Sequence, residues 1–179
     1  MAAMQTTKRK MNYQQLQQEL AQSEAELDII NAVQDGLATH LEMQAIFDLV
    51  GNKIRDFFDA QVVMISTYDA QTHTVEHRYA IEAGQQIYFP GPHPPGGFRS
   101  RIIQTRRPLL VNVNVAEEAA RLGQPTIPGT VTPKSWLGVP MIVNEQVTGI
   151  LSLQNIEVEH AFRKTHVRLL QTLAASMSV

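Results

Sequence analysis

Apolar side chains alternate regularly along the segment 135–154, SWLGVPMIVNEQVTGILSLQ, on both sides of the polar pair Asn144-Glu145. One set of alternate positions is wholly apolar: Leu137, Val139, Met141, Gly149, Leu151 and Leu153. Because successive side chains of a strand point to opposite sides, the segment predicts two antiparallel strands, 135–143 and 146–154, joined by a turn at Asn144-Glu145. The apolar side is expected to lie under helices.

The other side of this hairpin mixes apolar and polar residues: Trp136, Thr148, Ile150, Ser152 and Gln154. A mixed lining is typical of ligand pockets. The alternative is an empty, collapsed pocket, or a sheet face that loops half cover.

The rest of the chain predicts one α+β domain around this hairpin. Helical periodicity covers 43–58 and 166–177, with shorter helices at 98–105 and 115–122, and strand patterns cover 61–68, 72–81 and 109–113. Two loops rich in proline and glycine, 89–97 and 123–133, are expected to be mobile lids. This order predicts a central antiparallel sheet of five to six strands, with terminal helices on one face and loops on the other.

The strand 72–81 raises the question of a metal site. Simple alternation predicts one shared face for His73, Val75, His77, Tyr79 and Ile81. His73 and His77 are then about 13 Å apart, at about 3.3 Å per residue. Both cannot reach one ion, because zinc–nitrogen bonds are about 2 Å long. His77 and Tyr79 are therefore expected to line the core or a pocket, and no metal is expected.

The segment 12–41 predicts a long helix ahead of the domain. Its apolar residues follow alternating spacings of four and three that are interrupted only by Ser23 and Gln34: Leu16, Leu20, Leu27, Ile30, Leu37 and Leu41. So narrow a stripe is typical of a coiled-coil seam, and we expect a parallel homodimer through this helix. The alternative is a helix that folds back on its own domain. Residues 1–11, which include the basic run Lys8-Arg9-Lys10, are expected to be a disordered tail.

Composition excludes several classes of function. The chain has no cysteine, so it holds no disulfide, thiolate metal site, cysteine nucleophile or thioether-linked cofactor. Its net charge of -2 argues against nucleic acid as a partner. No segment has the length of a membrane span and no signal sequence precedes the domain, so we expect a cytoplasmic protein that does not bind membranes.

The segments 135–141 (SWLGVPM), 147–153 (VTGILSL) and 169–174 (LLQTLA), with Phe162 between the last two, resemble the GAF domain family. Gly97-Phe98 and 102–109 (IIQTRRPL) fit as well, so the resemblance covers 44–179, within a domain at 42–179. It implies a GAF-like, PAS-like sheet with a ligand pocket on the face opposite the terminal helices. Similar proteins are linked to kinase, nucleotide cyclase or diguanylate cyclase output domains.

The best-defined ligands of that family do not suit this sequence. Cyclic-nucleotide-binding members carry Asn-Lys, then Phe, then Asp-Glu. Asn155 and Phe162 match, but Ile156, His166 and Val167 replace the lysine and the acidic pair. Covalently bound bilins and methionine-sulfoxide reduction require cysteines in similar proteins. We therefore expect neither a cyclic nucleotide nor a covalent bilin, and the cofactor stays unknown.

Candidate pocket residues combine the mixed face of the hairpin with the strand 72–81 and the middle loop and helix: His77, Tyr79, Phe89, Phe98, Arg99, Ile102, Trp136, Ile150, Ser152 and Gln154. Gly96-Gly97 starts a helix whose free N–H groups can hold an anion, with Arg99 or Arg101 nearby. Glycines also simply end loops.

Two functions follow as hypotheses. The first is a sensory domain that binds a small molecule and modulates a linked output domain. The second is a ligand-free dimerisation module in the same kind of protein. An enzyme is not expected, because the chain has no Gly-x-Ser-x-Gly, P-loop or His-Glu-x-x-His motif.

Overall fold

The computed structural model describes residues 2–38, 42–58, 60–123 and 131–178. In chain order its elements are α1 (Ala2–Ala38), α2 (Met43–Phe58), β1 (Val62–Asp69), β2 (Thr74–Glu82), β3 (Gln85–Gln86), α3 (Gly97–Thr105), β4 (Leu109–Val111), α4 (Val115–Arg121), β5 (Ser135–Val143), β6 (Gln146–Asn155) and α5 (Lys164–Ser176).

The described strands form one sheet in the order β3-β2-β1-β6-β5-β4. Every neighbouring pair is antiparallel. The hairpins β1–β2 and β5–β6 lie side by side through β1 and β6, and the short β4 extends the sheet beside β5. The predicted α+β architecture is confirmed.

One face of the sheet, which we call the proximal face, is covered by α2 and α5, and α1 packs against these two helices. The predicted apolar side of the hairpin is buried there: Leu137, Val139, Met141, Leu151 and Leu153. These side chains share a core with Ile54 of α2 and with Leu170 and Leu173 of α5. Burying one such leucine fully stabilises the fold by about 2 kcal/mol. This alternation is therefore what anchors the terminal helices to the sheet.

The strand β2 does not keep one alternation along its length. Tyr79 pairs with Ile65 of β1, and His77 pairs with the next residue, Ser66. Arg78 has no opposite residue and forms a β-bulge. Tyr79 consequently points to the proximal face, against α2. The prediction that His77 and Tyr79 share a face is wrong, because one extra residue reverses the side of every later side chain.

The turn between β5 and β6 lies where the sequence predicts it. Asn144 and Glu145 both have positive φ angles, 47° and 64°. Two central residues of this kind define the hairpin turn that follows the twist of the strands, and glycine is preferred at the second. A glutamate there carries a strain of about 1 kcal/mol.

We expect Glu145→Gly to raise the free energy of unfolding by about 0.5–1 kcal/mol, because glycine adopts this conformation without strain. Urea unfolding measures the difference. Glu157→Gly is the matched control. Glu157 is exposed and does not have a positive φ angle, so glycine there is expected to lower the free energy of unfolding or leave it unchanged. Equal effects of the two substitutions would contradict the assignment of strain to the turn.

Helix α1 begins at Ala2, ten residues before the segment 12–41 in which the sequence predicts a helix. Residues 2–11 include alanine, methionine, glutamine, lysine and arginine, and neither proline nor glycine. They are good helix formers and continue a helix that is already nucleated. At about 1.5 Å per residue the 37-residue helix is about 55 Å long.

The C-terminal part of α1 packs on the proximal core. Ile29 and Val33 are buried, and Ile30, one of the predicted seam residues, is half-buried against the same core. The alternative of a helix folded onto its own domain therefore holds for this part of α1.

The preceding turns of α1 expose the rest of the predicted seam. Leu16, Leu20 and Leu27 are 54%, 60% and 55% exposed. At about 100° per residue they lie about 140° around the helix from Ile29 and Val33, so packing on the domain does not cover them. The side chain of Leu37 and the whole of residue 41 lie outside the described residues. None of the described helices has the length and apolar character needed to cross a membrane.

Candidate functional site

The sheet face opposite the proximal face, here called the distal face, is covered by α3, α4 and the segment 87–96. Phe98 and Ile102 of α3 pack on Trp136 of β5 and Ile150 of β6. The ring centroids of Phe98 and Trp136 are 4.8 Å apart. Gly138 permits this packing, because a Cβ there would lie 2.8 Å from Cδ1 of Ile102 and collide with Trp136.

Met64 of β1 lies at the centre of the polar part of the distal face. Ser152 of β6 is its direct partner across the sheet. Nη2 of Arg99, from α3, lies 2.9 Å from Sδ of Met64, and Nε2 of Gln154 lies 4.0 Å from the same sulfur. Two residues from separate elements, Arg99 of α3 and Gln154 of β6, therefore bring hydrogen-bond donors to one thioether, which is only a weak acceptor.

Arg99 is buried without a counter-ion among the described residues. It is 5% exposed, and its Nε has no hydrogen-bond partner there. Burial lowers the pKa of Arg99 to about 10, with no carboxylate acting in the opposite direction. The guanidinium therefore stays charged at neutral pH, in surroundings where an unpaired charge is costly.

Ser152 adds a second unpaired group. It is 1% exposed, and within the described part of the chain its Oγ has no hydrogen-bond partner. Buried polar groups are nearly always paired in folded proteins. Two such exceptions on either side of Met64 are typical of a place where a ligand supplies the missing acceptors.

His77 lies at the edge of this site. Its Nδ1 is 2.8 Å from Oγ of Ser66, and its ring is 4.0 Å from that of Phe89 and 5.2 Å from that of His93. Burial, followed by the charges of Arg99 and His93, lowers the pKa of His77 to about 3. The imidazole is consequently neutral at physiological pH and offers one donor and one acceptor.

The structure places nearly all predicted pocket residues on the distal face. His77, Phe89, Arg99, Ser152 and Gln154 surround its polar part. Phe98, Ile102, Trp136 and Ile150 form its apolar part. Tyr79 is the exception, because the β-bulge at Arg78 turns its side chain to the proximal face. Arg101, the other arginine considered for an anion, is exposed on α3.

Three residues of the site were missed by sequence reasoning: Met64, Ser66 and His93. Alternation along β1 could have found the first two, because 64 and 66 share a side that is opposite to Val63 and Ile65. His93 carried no signal, because a backbone bridge to Val75 is what brings its loop onto the sheet.

The structure describes the first of the two predicted lids completely and the second only in part. The segment 89–97 is anchored, by the ring of Phe89 on the distal face and by backbone hydrogen bonds between His93 and Val75 of 2.8 and 3.0 Å. Most of the second lid, 124–130, lies outside the described residues. As for metals, the described ranges contain no group of three or more His, Asp or Glu side chains placed to hold an ion.

Residues 40–179 match the family model of the GAF domain. The chain belongs to the GAF domain family. A comparison with curated proteins finds no match. The fold of this GAF domain is shared with solved structures of low sequence identity.

Three of these structures are similar to this GAF domain over most of their length. The GAF domain of a phosphoenolpyruvate-protein phosphotransferase from Coxiella burnetii is 16% identical, with a TM-score of 0.67 over 87% of this chain and 91% of that one. Residues 122 to 287 of a methyl-accepting chemotaxis protein are 18% identical, with a TM-score of 0.66 over 84% and 92%. A free methionine-R-sulfoxide reductase from Neisseria meningitidis, in complex with its substrate, is 15% identical, with a TM-score of 0.67 over 88% and 86%.

Proposed function

We propose that this GAF domain is a regulatory sensory module of a cytoplasmic signal-transduction protein. It binds a small molecule on the distal face and modulates a linked output domain, such as a kinase, a nucleotide cyclase or a diguanylate cyclase. The observation that carries the proposal is the pair of buried, unpartnered groups on Arg99 and Ser152. A rigid sheet and α3 hold them in place, as a preorganised binding site requires.

The similar structures support a sensory role. One of them belongs to a methyl-accepting chemotaxis protein, and another to a GAF domain/HD domain protein from Geobacter sulfurreducens. The first name describes a segment of a larger chemotaxis protein, and the second places a GAF domain beside an HD domain. Such an arrangement is the one that we propose here.

We propose that the domain itself catalyses no reaction. The similar reductase is an enzyme, but the cysteines that the family resemblance assigns to that chemistry have no counterpart in this sequence. Among the described residues, the polar groups of this site are a guanidinium, two hydroxyls, an amide and the imidazoles of His77 and His93. A guanidinium that stays protonated cannot act as a base. The hydroxyl of Ser66 contacts the imidazole of His77, but a pKa of about 3 makes that imidazole a weak base, and Ser152 has no described partner that would activate it.

The residues that match the cyclic-nucleotide pattern have structural roles. Oδ1 of Asn155 accepts hydrogen bonds from the backbone N–H groups of Glu157 and Val158, at 3.0 and 2.8 Å. Phe162 is buried in the proximal core. Both residues are therefore engaged elsewhere, which supports a ligand other than a cyclic nucleotide.

We further propose that α1 joins two copies of the chain in a parallel homodimer. Leu16, Leu20 and Leu27 have heptad spacing and are exposed on the side of α1 away from the domain. A row of exposed leucines is costly in water, and a second copy of the same helix covers it. A parallel arrangement brings two identical output domains together.

The ligand-free dimerisation module is the second candidate. It is favoured by Phe98, Ile102, Trp136 and Ile150, which fill part of the distal face with their own side chains. This candidate does not explain why the donors of Arg99 and Ser152 are buried without acceptors.

Native mass spectrometry of protein purified from cells separates the two candidates. We expect a small molecule bound at one copy per chain, because the site has two hydrogen-bonding groups that water reaches poorly. Denaturing mass spectrometry of the same sample is the control, since a non-covalent ligand disappears from it. Ligand-free protein that also binds no small molecule from a cell extract would favour the dimerisation module.

A further inference from the structure

We infer that Arg99 and Ser152 bind the carboxylate of a small monocarboxylic acid. The inference rests on the proposed sensory function and names the chemical class of its ligand. It is carried by the kinds of group that are unpaired, by the charge around them and by the side chains that surround them.

The unpaired groups can both donate. Nε of Arg99 carries an N–H, and a guanidinium cannot accept a hydrogen bond. Oγ of Ser152 can donate its proton to an acceptor placed between the two. Met64 is the neighbour of both residues. Its sulfur, a poor acceptor, already accepts a hydrogen bond from Nη2 of Arg99. Each of the two groups lacks an acceptor, and a carboxylate offers two oxygens with which to meet both.

The charge of the site favours a monoanion. Arg99 is the one buried cation of the distal face as described, and no described carboxylate forms an ion pair with it. The nearby imidazoles of His77 and His93 are in ring contact, and His77 is held neutral by burial and by the charge of Arg99. Arg101, on the same helix, is exposed. One cation compensates one negative charge, whereas a phosphate dianion would leave a second charge buried and unpaired.

The neighbouring side chains favour a short apolar body on the ligand. Phe98, Ile102, Trp136 and Ile150 form the apolar part of the distal face, and Phe89 closes the opposite side. A sugar or a peptide would bring many polar groups against these surfaces without hydrogen-bond partners.

Thermal unfolding with simple probes tests the inference. The probes are sodium acetate and sodium butyrate, from about 1 to 100 mM, with sodium phosphate, acetamide and sodium chloride at matched ionic strength for comparison. We expect acetate and butyrate to raise the melting temperature saturably by several degrees, about 3–8 °C. Acetamide and chloride should leave it unchanged.

Two variants of α3 are matched. Arg99→Met keeps the length and removes the charge, so we expect it to abolish the acetate shift. Without ligand it should melt at or above the wild-type temperature, because an unpaired buried charge is gone. Arg101→Met removes an exposed charge from the same helix and should keep the full shift. Ser152→Ala should weaken acetate binding by about tenfold, the loss of one hydrogen bond to a charged group.

The outcomes that overturn the inference are distinct from failure of the sensory proposal. Stabilisation by phosphate alone, or an acetate shift that survives Arg99→Met, would show that Arg99 does not bind a carboxylate. If Arg99→Met does not fold, Ser152→Ala carries the test, and an undiminished acetate affinity in that variant would overturn the inference. If a neutral molecule co-purifies with the protein and Arg99→Met still binds it, this inference is wrong, whereas the proposed sensory function still holds. A protein with no co-purified ligand and no response to either acid contradicts both.

Discussion

Substituting Leu20 and Leu27 together with glutamate is expected to convert a dimer of the unmodified chain into monomers. The two residues are 60% and 55% exposed and occupy equivalent seam positions seven residues, or about two helical turns, apart. In a dimer the change removes four leucines from the interface, about 6 kcal/mol or more at about 1.5 kcal/mol each. That loss corresponds to about four orders of magnitude in the dissociation constant. Light scattering coupled to size exclusion measures the mass directly.

The domain itself should stay folded in this variant. Leu20 and Leu27 lie outside the proximal core, and glutamate is a good helix former. The matched control is Gln14→Glu with Ala21→Glu, which adds the same charge at two exposed positions about 120° around the helix from the seam. This control should remain a dimer. An unmodified chain that is monomeric at tens of micromolar, or a leucine double variant that stays dimeric, would rule out α1 as the interface.

Acidification is expected to destabilise the domain through His77. Its pKa is about 3 in the folded state and about 6.5 in the unfolded chain. Between these values the unfolded state binds one more proton, so the free energy of unfolding falls as pH falls. The slope approaches about 1.4 kcal/mol per pH unit, and the full effect is of the order of 5 kcal/mol. The stabilising contribution is complete above about pH 6.5 and is lost on the way to about pH 3.

Urea unfolding at several values between about pH 7 and pH 4.5 measures this slope. In His77→Asn we expect the slope to decrease by about one proton, because asparagine does not titrate, while its amide can still pair with Ser66. His160→Asn is the matched control: His160 is exposed and has a positive φ of 57°, which asparagine tolerates, so its slope should equal that of the wild type. His166, whose pKa is also lowered by burial, titrates equally in all three proteins. Parallel curves for the wild type and His77→Asn would contradict the role of His77.

Periodicity predicted the regular elements well. The helix expected at 43–58 occurs as Met43–Phe58, and the hairpin turn lies at Asn144 and Glu145. Both depend on short-range regularities, the recurrence of apolar residues and the conformational preference of a two-residue turn. The bulge at Arg78 has no such signature, because it is defined by the pairing of β2 with β1. Tyr79 was therefore assigned to the wrong face.

For α1, too, the sequence predicted one surface of the helix and not the other. The heptad pattern identified the leucine seam, and Leu16, Leu20 and Leu27 are indeed available on the surface. Nothing in that pattern indicated that Ile29 and Val33 would hold the end of the helix against its own domain. Both residues share one core with side chains of α2 and α5, and α5 lies at the other end of the chain.

The sequence by itself determined the fold class, the position of the hairpins and the absence of cysteine chemistry, because alternation, turn preference and composition are local properties of the chain. The tertiary structure alone decided which of two arginines on one short helix is buried. Arg99 and Arg101 are the same amino acid, two residues apart on one helix. Arg99 is nevertheless only 5% exposed and contacts Met64, whereas Arg101 is exposed to solvent. Burial and charge pairing depend on what the rest of the fold brings to each side chain. The candidate ligand site therefore exists only where α3 meets the distal face of the sheet.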